Sequence, residues 1–400
     1  MSRSIKVAIV QLDVTPSPTP DRLAHAERLI TQAAYDGAQL VALPEVFNTG
    51  YRYTDENFQR AEPLDGLTVM WMKNTSARLN LHLAGSILLR DNGEIYNALL
   101  LVAPDGQVWR YDKNYPWGWE RAYFRAGYGL TVAHTALGDI GLLICWDVAH
   151  PNLWQQYAGR VDLMLVTSCP PDLGNPTYEF DNGDRWTIDR LGPLMQSTRN
   201  TADSVFDTGT NRYAAWLGVP LLQSIASGYF RSPIPNPCAS LLAMLPAMPQ
   251  VAPHLSQADQ MQVSCEMTQA CKIVNSAGEI VTRLDPMQGE TYALGEIEIA
   301  DEKPQPIGPL PGPTANGFTY FTSDVILPFI SRSVYQRGVQ TLTDRPPRPR
   351  RSKLQKWIVA IGAGALIGLL LAIFWPRQRP HRKSQKTRRN RDELGRTIQR

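Results

Sequence analysis

A thiol, a carboxylate and an ammonium group stand in this 400-residue chain in settings that suit catalysis, each at the end of a strand-like run. Glu45 lies in LPEVFNTGY (43–51), Lys113 in YDKNYPWGWERAYFRAG (111–127) and Cys145 in GDIGLLICWDVAHP (138–151). Strand ends beside loops are where α/β proteins place reactive groups. A nucleophilic thiol needs a base to take its proton and a cation or N–H group to hold the oxyanion that follows. Glutamate, lysine and cysteine fill those roles without histidine or metal. Glu120, seven residues beyond Lys113, is placed to hold the ammonium, and the aromatics between and after them can wall a pocket of low dielectric. Each residue alone has a plainer account: a surface carboxylate, an exposed Lys–Glu pair, a buried core thiol. The three in combination favour chemistry.

Other chemistries find little support. The six histidines include no H-x-x-x-H or H-E-x-x-H spacing, so no metal site is expected. The five cysteines contain no C-x-x-C pair and are too few for a disulfide scaffold. There is no Gly-rich phosphate loop. Cys169, just beyond the apolar run Val161–Val166, reads as a buried structural thiol.

The elements that must position these residues begin with an apolar strand at Ile5–Val10. A helix follows, capped by Thr19 with Pro20 at its first position and closed by Gly37, and then a second strand at Leu40–Leu43. Further strands are expected at Leu81–Leu89, Ala98–Val102, Ile140–Ile144 and Val161–Val166. An antiparallel ending is expected at Cys271–Val274, Ile280–Arg283 and Tyr292–Ile299. Asn92-Gly93 and Asp105-Gly106 mark hairpins. The alternation predicts an α/β or α+β layered sandwich. Residues 170–195 and 231–262 look inserted. The apolar patch Leu241–Met248 in the second reads as a loop packed on the body rather than a membrane contact.

The order of the three motifs, each after a strand, resembles the carbon–nitrogen hydrolase (nitrilase) superfamily over residues 4–301. That resemblance implies a four-layer αββα sandwich that pairs into a homodimer or larger homo-oligomer. It implies Glu45 as general base, Lys113 as oxyanion-stabilising cation and Cys145 as nucleophile. Glu120, Tyr51 and the N–H of Trp146 become supporting or substrate-binding groups, and no cofactor is required. The seven-residue step from Lys113 to Glu120 resembles nitrilases, whereas Cys145-Trp146-Asp147 and ERAYFRAG (120–127) lean toward carbamoyl-amide hydrolases. The expected activity is therefore hydrolysis of a small non-peptide amide through a thioester. A true nitrilase and a catalytically idle scaffold of the same fold are the alternatives.

The net charge of +3 hides an asymmetry: residues 345–400 carry 16 Lys/Arg against 2 Asp/Glu, and the rest of the chain is acidic. No nucleic-acid partner is expected from an acidic body. Within the basic end, Trp357–Trp375 (WIVAIGAGALIGLLLAIFW) is free of charge, with Trp at both ends. As a helix it would be about 28 Å long, near the thickness of a bilayer's hydrocarbon core. The chain thus divides into a hydrolase domain (4–301), a Pro-rich then basic linker (302–356), a single C-terminal transmembrane helix (357–375) and a basic tail (376–400). MSRSIKVAIV reads as a strand rather than a signal peptide, which places the catalytic domain in the cytoplasm and the chain on a membrane as a C-terminally anchored protein.

Overall fold

The computed structural model describes residues 2–342. Two six-stranded sheets form its centre. The first runs, edge to edge, Thr291–Ala300, Ser2–Gln11, Leu40–Ala42, His82–Asp91, Glu94–Val102 and Val108–Asp112. The second runs Ile280–Arg283, Lys272–Val274, Leu221–Ile225, Leu163–Ser168, Gly138–Ile144 and Val132–Thr135. In both, parallel central pairs give way to antiparallel edges. After the second sheet's edge strand Ile280–Arg283 the chain returns to the first sheet, where Thr291–Ala300 pairs antiparallel with the first strand of the chain and closes the fold.

Period-two alternation decides which face each side chain serves. Val7 and Ile9, with Leu99 and Leu101, lie between the sheets against Leu142, Ile144 and Leu165. Their neighbours Ala8, Val10, Leu100 and Val102 turn the other way, beneath the helices Thr19–Tyr35 and Leu67–Leu79. The second sheet is covered on its far side by Pro151–Tyr157 and Thr210–Leu217, where Trp154 and Tyr213 stack at 4.8 Å. The result is a helix–sheet–sheet–helix sandwich of the expected layering. The first helix begins at Thr19 itself, with Pro18 in the cap position and no side-chain cap, so the expected Thr19 cap is displaced by one residue.

The two inserts have structure of their own. Strands Thr177–Glu179 and Arg185–Thr187 join Tyr229–Pro233 and Gln262–Glu266 in a small four-stranded sheet beside the sandwich. The patch around Leu241–Met248 packs inward on a helix, Pro237–Met244, with Leu241, Ala243 and Met248 buried.

The segment after residue 301 departs from the expected linker. Residues 304–316 lie as an arm along the body: the Ile307 N–H donates to the Trp216 carbonyl at 2.8 Å, and the Trp216 indole N–H donates to Gly308 at 3.2 Å. The chain then forms continuous helical turns from Gly317 to Thr341. Ile326, Leu327, Ile330 and Val334 are buried against the body, and Gly338 passes so close to the Phe58 ring that no β-carbon fits between them. Five of the prolines that suggested a linker, between residues 304 and 313, lie in the arm, whereas the helix has an apolar face and buries it. The span at 357–375 lies outside the described residues, and among those described no helix is long and apolar enough to cross a membrane.

Candidate active site

Three loops bring the site together. Glu45 follows strand Leu40–Ala42, Lys113 follows Val108–Asp112, and Cys145 opens a 3₁₀ turn, Cys145–Ala149, directly after Gly138–Ile144. Two backbones here adopt the left-handed region that side chains rarely occupy: Val46 at φ 45° and Cys145 at φ 47°. Such conformations persist where the surroundings enforce them, and they concentrate at functional sites. At Cys145 the turn lifts the thiol out of the strand line and into a cavity.

The polar groups are deeply buried and bonded to one another. The Lys113 ammonium donates to Glu45 Oε1 at 2.8 Å and to Glu120 Oε1 at 2.9 Å, and it pairs ionically with Glu120 Oε2 at 2.7 Å, with no solvent exposure. Glu120 is fixed further by the Trp117 N–H at 2.7 Å and by the Tyr51 hydroxyl. Glu45 accepts from the Asn97 side-chain amide and from the Cys169 backbone N–H, each at 2.7 Å. The Cys145 thiol stands close enough to Glu45 for each to shift the other's ionisation. Glu45, Lys113, Cys145, Glu120 and Tyr51, separated by up to 100 positions along the chain, therefore meet at one point, and Trp146 lines the same cavity.

Burial sets the protonation of this cluster. It is the largest influence on Glu45 and pushes the carboxyl up, against the lowering effect of Lys113, to about 7. Burial also raises the Cys145 thiol well above its ordinary value, and the nearby Glu45 charge adds to the rise, so the sulfur keeps its proton at rest. For Lys113 burial acts in the lowering direction, but attraction to the ionised forms of Cys145, Glu120 and Glu45 outweighs it and holds the ammonium above its ordinary value. The resting site is thus a neutral thiol beside a carboxylate whose basicity suits neutral pH.

Several contributors carry no sequence signal of their own. Asp147 is fully buried and ties the thiol's turn to the lysine's loop. It accepts from the Tyr111 hydroxyl at 2.9 Å, the Tyr115 N–H at 2.7 Å and the Ile144 N–H at 3.3 Å. Asn97 sits within an apolar strand, and Cys169 contributes to Glu45 through its backbone, which no side-chain pattern can reveal. Cys169 is a buried thiol, as expected, but it also lines the cavity.

The late helix supplies the remaining wall. Asp324 accepts from the Trp146 indole N–H at 3.0 Å and pairs with His150 Nε2 at 3.1 Å; His150 in turn stacks on Tyr115 with ring centroids 3.6 Å apart. The Tyr320 hydroxyl donates to the Ala149 carbonyl. Asp324 thereby clamps the residues that follow the thiol. Asp324→Ala is expected to leave the Trp146 and His150 donors without their partner, costing about 1–3 kcal/mol of stability. It should raise KM more than it lowers kcat, because the wall loosens while the reacting groups remain. Denaturant titration and steady-state kinetics on the variant check both parts.

Residues 6–193 match the family model described as Carbon-nitrogen hydrolase. The citrullinase of Francisella tularensis is 30% identical over 231 residues, covering 53% of this chain and 80% of that protein. An omega-amidase of Danio rerio is 30% identical, covering 40% of this chain and 61% of its own length; the chain thus spans about three fifths of that relative. Among solved structures, a mutant amidase from Nesterenkonia sp. AN1, described as showing Michael addition of acrylamide at its active-site cysteine, superposes with a TM-score of 0.52. It covers 73% of this chain and 92% of its own, at 17% identity, a likeness of fold.

Proposed function

Because the chain belongs to the carbon–nitrogen hydrolase family, whose enzymes act on non-peptide carbon–nitrogen bonds, we propose that it is a thiol amidase that cleaves a small amide through a Cys145 thioester. The observation that carries this reading is the contact of Lys113 with Glu45 at 2.8 Å, fully buried, with the Cys145 thiol beside the same carboxyl. Few arrangements unrelated to catalysis hold a thiol, a carboxylate and an ammonium together out of water.

In the proposed reaction Glu45 takes the Cys145 proton as the sulfur attacks the amide carbon. The negative charge that develops on the carbonyl oxygen is held by Lys113 and the Trp146 N–H. The intermediate collapses, and the departing amine takes the proton from Glu45. Water then gives a proton to Glu45 and attacks the thioester; the acid leaves, and the proton returns to sulfur. Low dielectric strengthens the ammonium–oxyanion attraction at each addition step. Glu120, Tyr51 and Trp117 act by holding the lysine in place.

Intact-mass trapping across paired amides and nitriles tests this reading. An acyl adduct from amides, absent in Cys145→Ala, is the expected result; adducts from nitriles alone would assign the nitrilase branch. A folded protein that forms neither adduct would be an idle scaffold. We further propose that residues 357–375 anchor the domain to a membrane from the cytoplasmic side, and that copies of the chain associate as a homodimer or larger homo-oligomer.

The pH dependence follows from Glu45. The base must be ionised to accept the thiol proton, and its carboxyl titrates at about 7. Values of kcat/KM are therefore expected to be low in acid, where Glu45 carries a proton, and to rise through pH 7 to a plateau. A Glu45→Gln variant should lose this rising limb along with most of its activity. A pH–rate profile of both proteins provides the check.

A further inference from the structure

The cavity that receives the thiol has largely apolar walls. Met195 closes the first insert and Phe206 follows it, Met244 comes from the second, and Phe318, Ile326 and Leu327 from the late helix. The neutral polar groups on the lining are hydroxyls, such as those of Thr198, Thr319 and Thr322, and the indoles of Trp117, Trp119 and Trp146. Among the described residues, Glu120 is the one charged side chain on the lining, and its carboxylate is already taken by Lys113, Tyr51 and the Trp117 N–H. Asp324, the nearest acid of the helix, is turned to Trp146 and His150 and is not on the lining.

We propose that the substrate is an amide whose body is uncharged and apolar, and that the insert residues and the helical segment 317–341 select it. The inference rests on the amidase reading above and adds the substrate class. A carboxylate or ammonium on the far end of the substrate would leave water and meet no counter-charge, which disfavours it strongly. Methylenes meet Met, Phe, Ile and Leu surfaces and are favoured by their own transfer from water.

The test uses the full chain and one matched set: unbranched amides from acetamide to hexanamide, then adipamate and 6-aminohexanamide, which carry a terminal carboxylate and ammonium. We expect kcat/KM to rise about fourfold per added methylene. Each charged amide should fall at least about a hundredfold below hexanamide. Met244→Lys, a half-buried wall position away from the reacting groups, should narrow the gap between hexanamide and adipamate about tenfold or more. Stoichiometric alkylation of Cys145 and an unchanged melting temperature would show that this variant is folded, and Thr322→Lys serves where it is not. If Cys145-dependent turnover of the charged amides equals or exceeds that of hexanamide, the selectivity is overturned while the amidase reading stands. If no amide is turned over and no acyl adduct forms, the amidase reading fails and the inference fails with it.

Discussion

Cys145→Ala is expected to lower amide hydrolysis by roughly 10⁴-fold or more, because a covalent route loses its nucleophile and the remaining groups only polarise the substrate. The loss should come with little change in stability. One sulfur atom is removed from a small side chain, and alanine meets the same left-handed backbone cost at φ 47° that cysteine already bears. Removing the thiol also takes away a group whose ionisation competes with that of Glu45 in the same dry space. Cys145→Ser should be nearly as inactive. A hydroxyl holds its proton more tightly than a thiol, and burial adds to that. Activity assays beside denaturation curves decide the matter: activity near that of the parent chain would remove Cys145 from the chemistry, and a large drop in stability would mark it as a packing residue instead.

The parts of the site that were legible in sequence are those where an ionisable or nucleophilic side chain ends a strand-like run. Glu45 and Cys145 end apolar runs and Lys113 ends the amphipathic strand VWRYD, and the parallel and antiparallel pairing of two sheets brings the three ends together. Glu120 was legible through its distance from Lys113. Asn97 was not, because one amide within EIYNALLLV looks like an ordinary interruption of a strand, and its partner Glu45 lies 52 positions away. Asp147 was read only as part of a motif, although its buried carboxyl joins two of the catalytic loops. The largest omission was the wall after residue 301. Its proline-rich arm and the basic run beyond it dominated the composition, while Ile326, Leu327, Ile330 and Val334 between them already had the i, i+3, i+4 spacing of a helix with one buried face. Why that helix belongs to the site was beyond sequence reasoning, since Asp324 meets Trp146 across 178 positions.

That helix makes two truncations behave very differently. Removal of residues 345–400 is expected to leave hydrolysis unchanged, because the clamp on Trp146 and His150 and the buried apolar face are supplied by residues 317–341. In the same variant the protein should move from the membrane pellet to the supernatant, whereas the full chain should pellet. Removal of residues 303–400 should abolish activity. It strips the arm from Trp216 and Tyr213, the Asp324 clamp from Trp146 and His150, and the Tyr335 hydroxyl from its bonds to Glu94 and the Ile95 N–H. It also exposes the surfaces covered by Ile326, Leu327, Ile330 and Val334. Each buried aliphatic side chain of this size contributes about 1.5–3 kcal/mol, so four of them match much of a typical domain's net stability. The shorter protein is therefore expected to aggregate or to melt far below the 1–344 fragment, as calorimetry and light scattering would record. Full activity in a folded 1–302 fragment would show that the late helix is an attachment rather than a wall. A 1–344 fragment that still pelleted as folded protein would mean that the body itself holds the membrane, independently of residues 357–375.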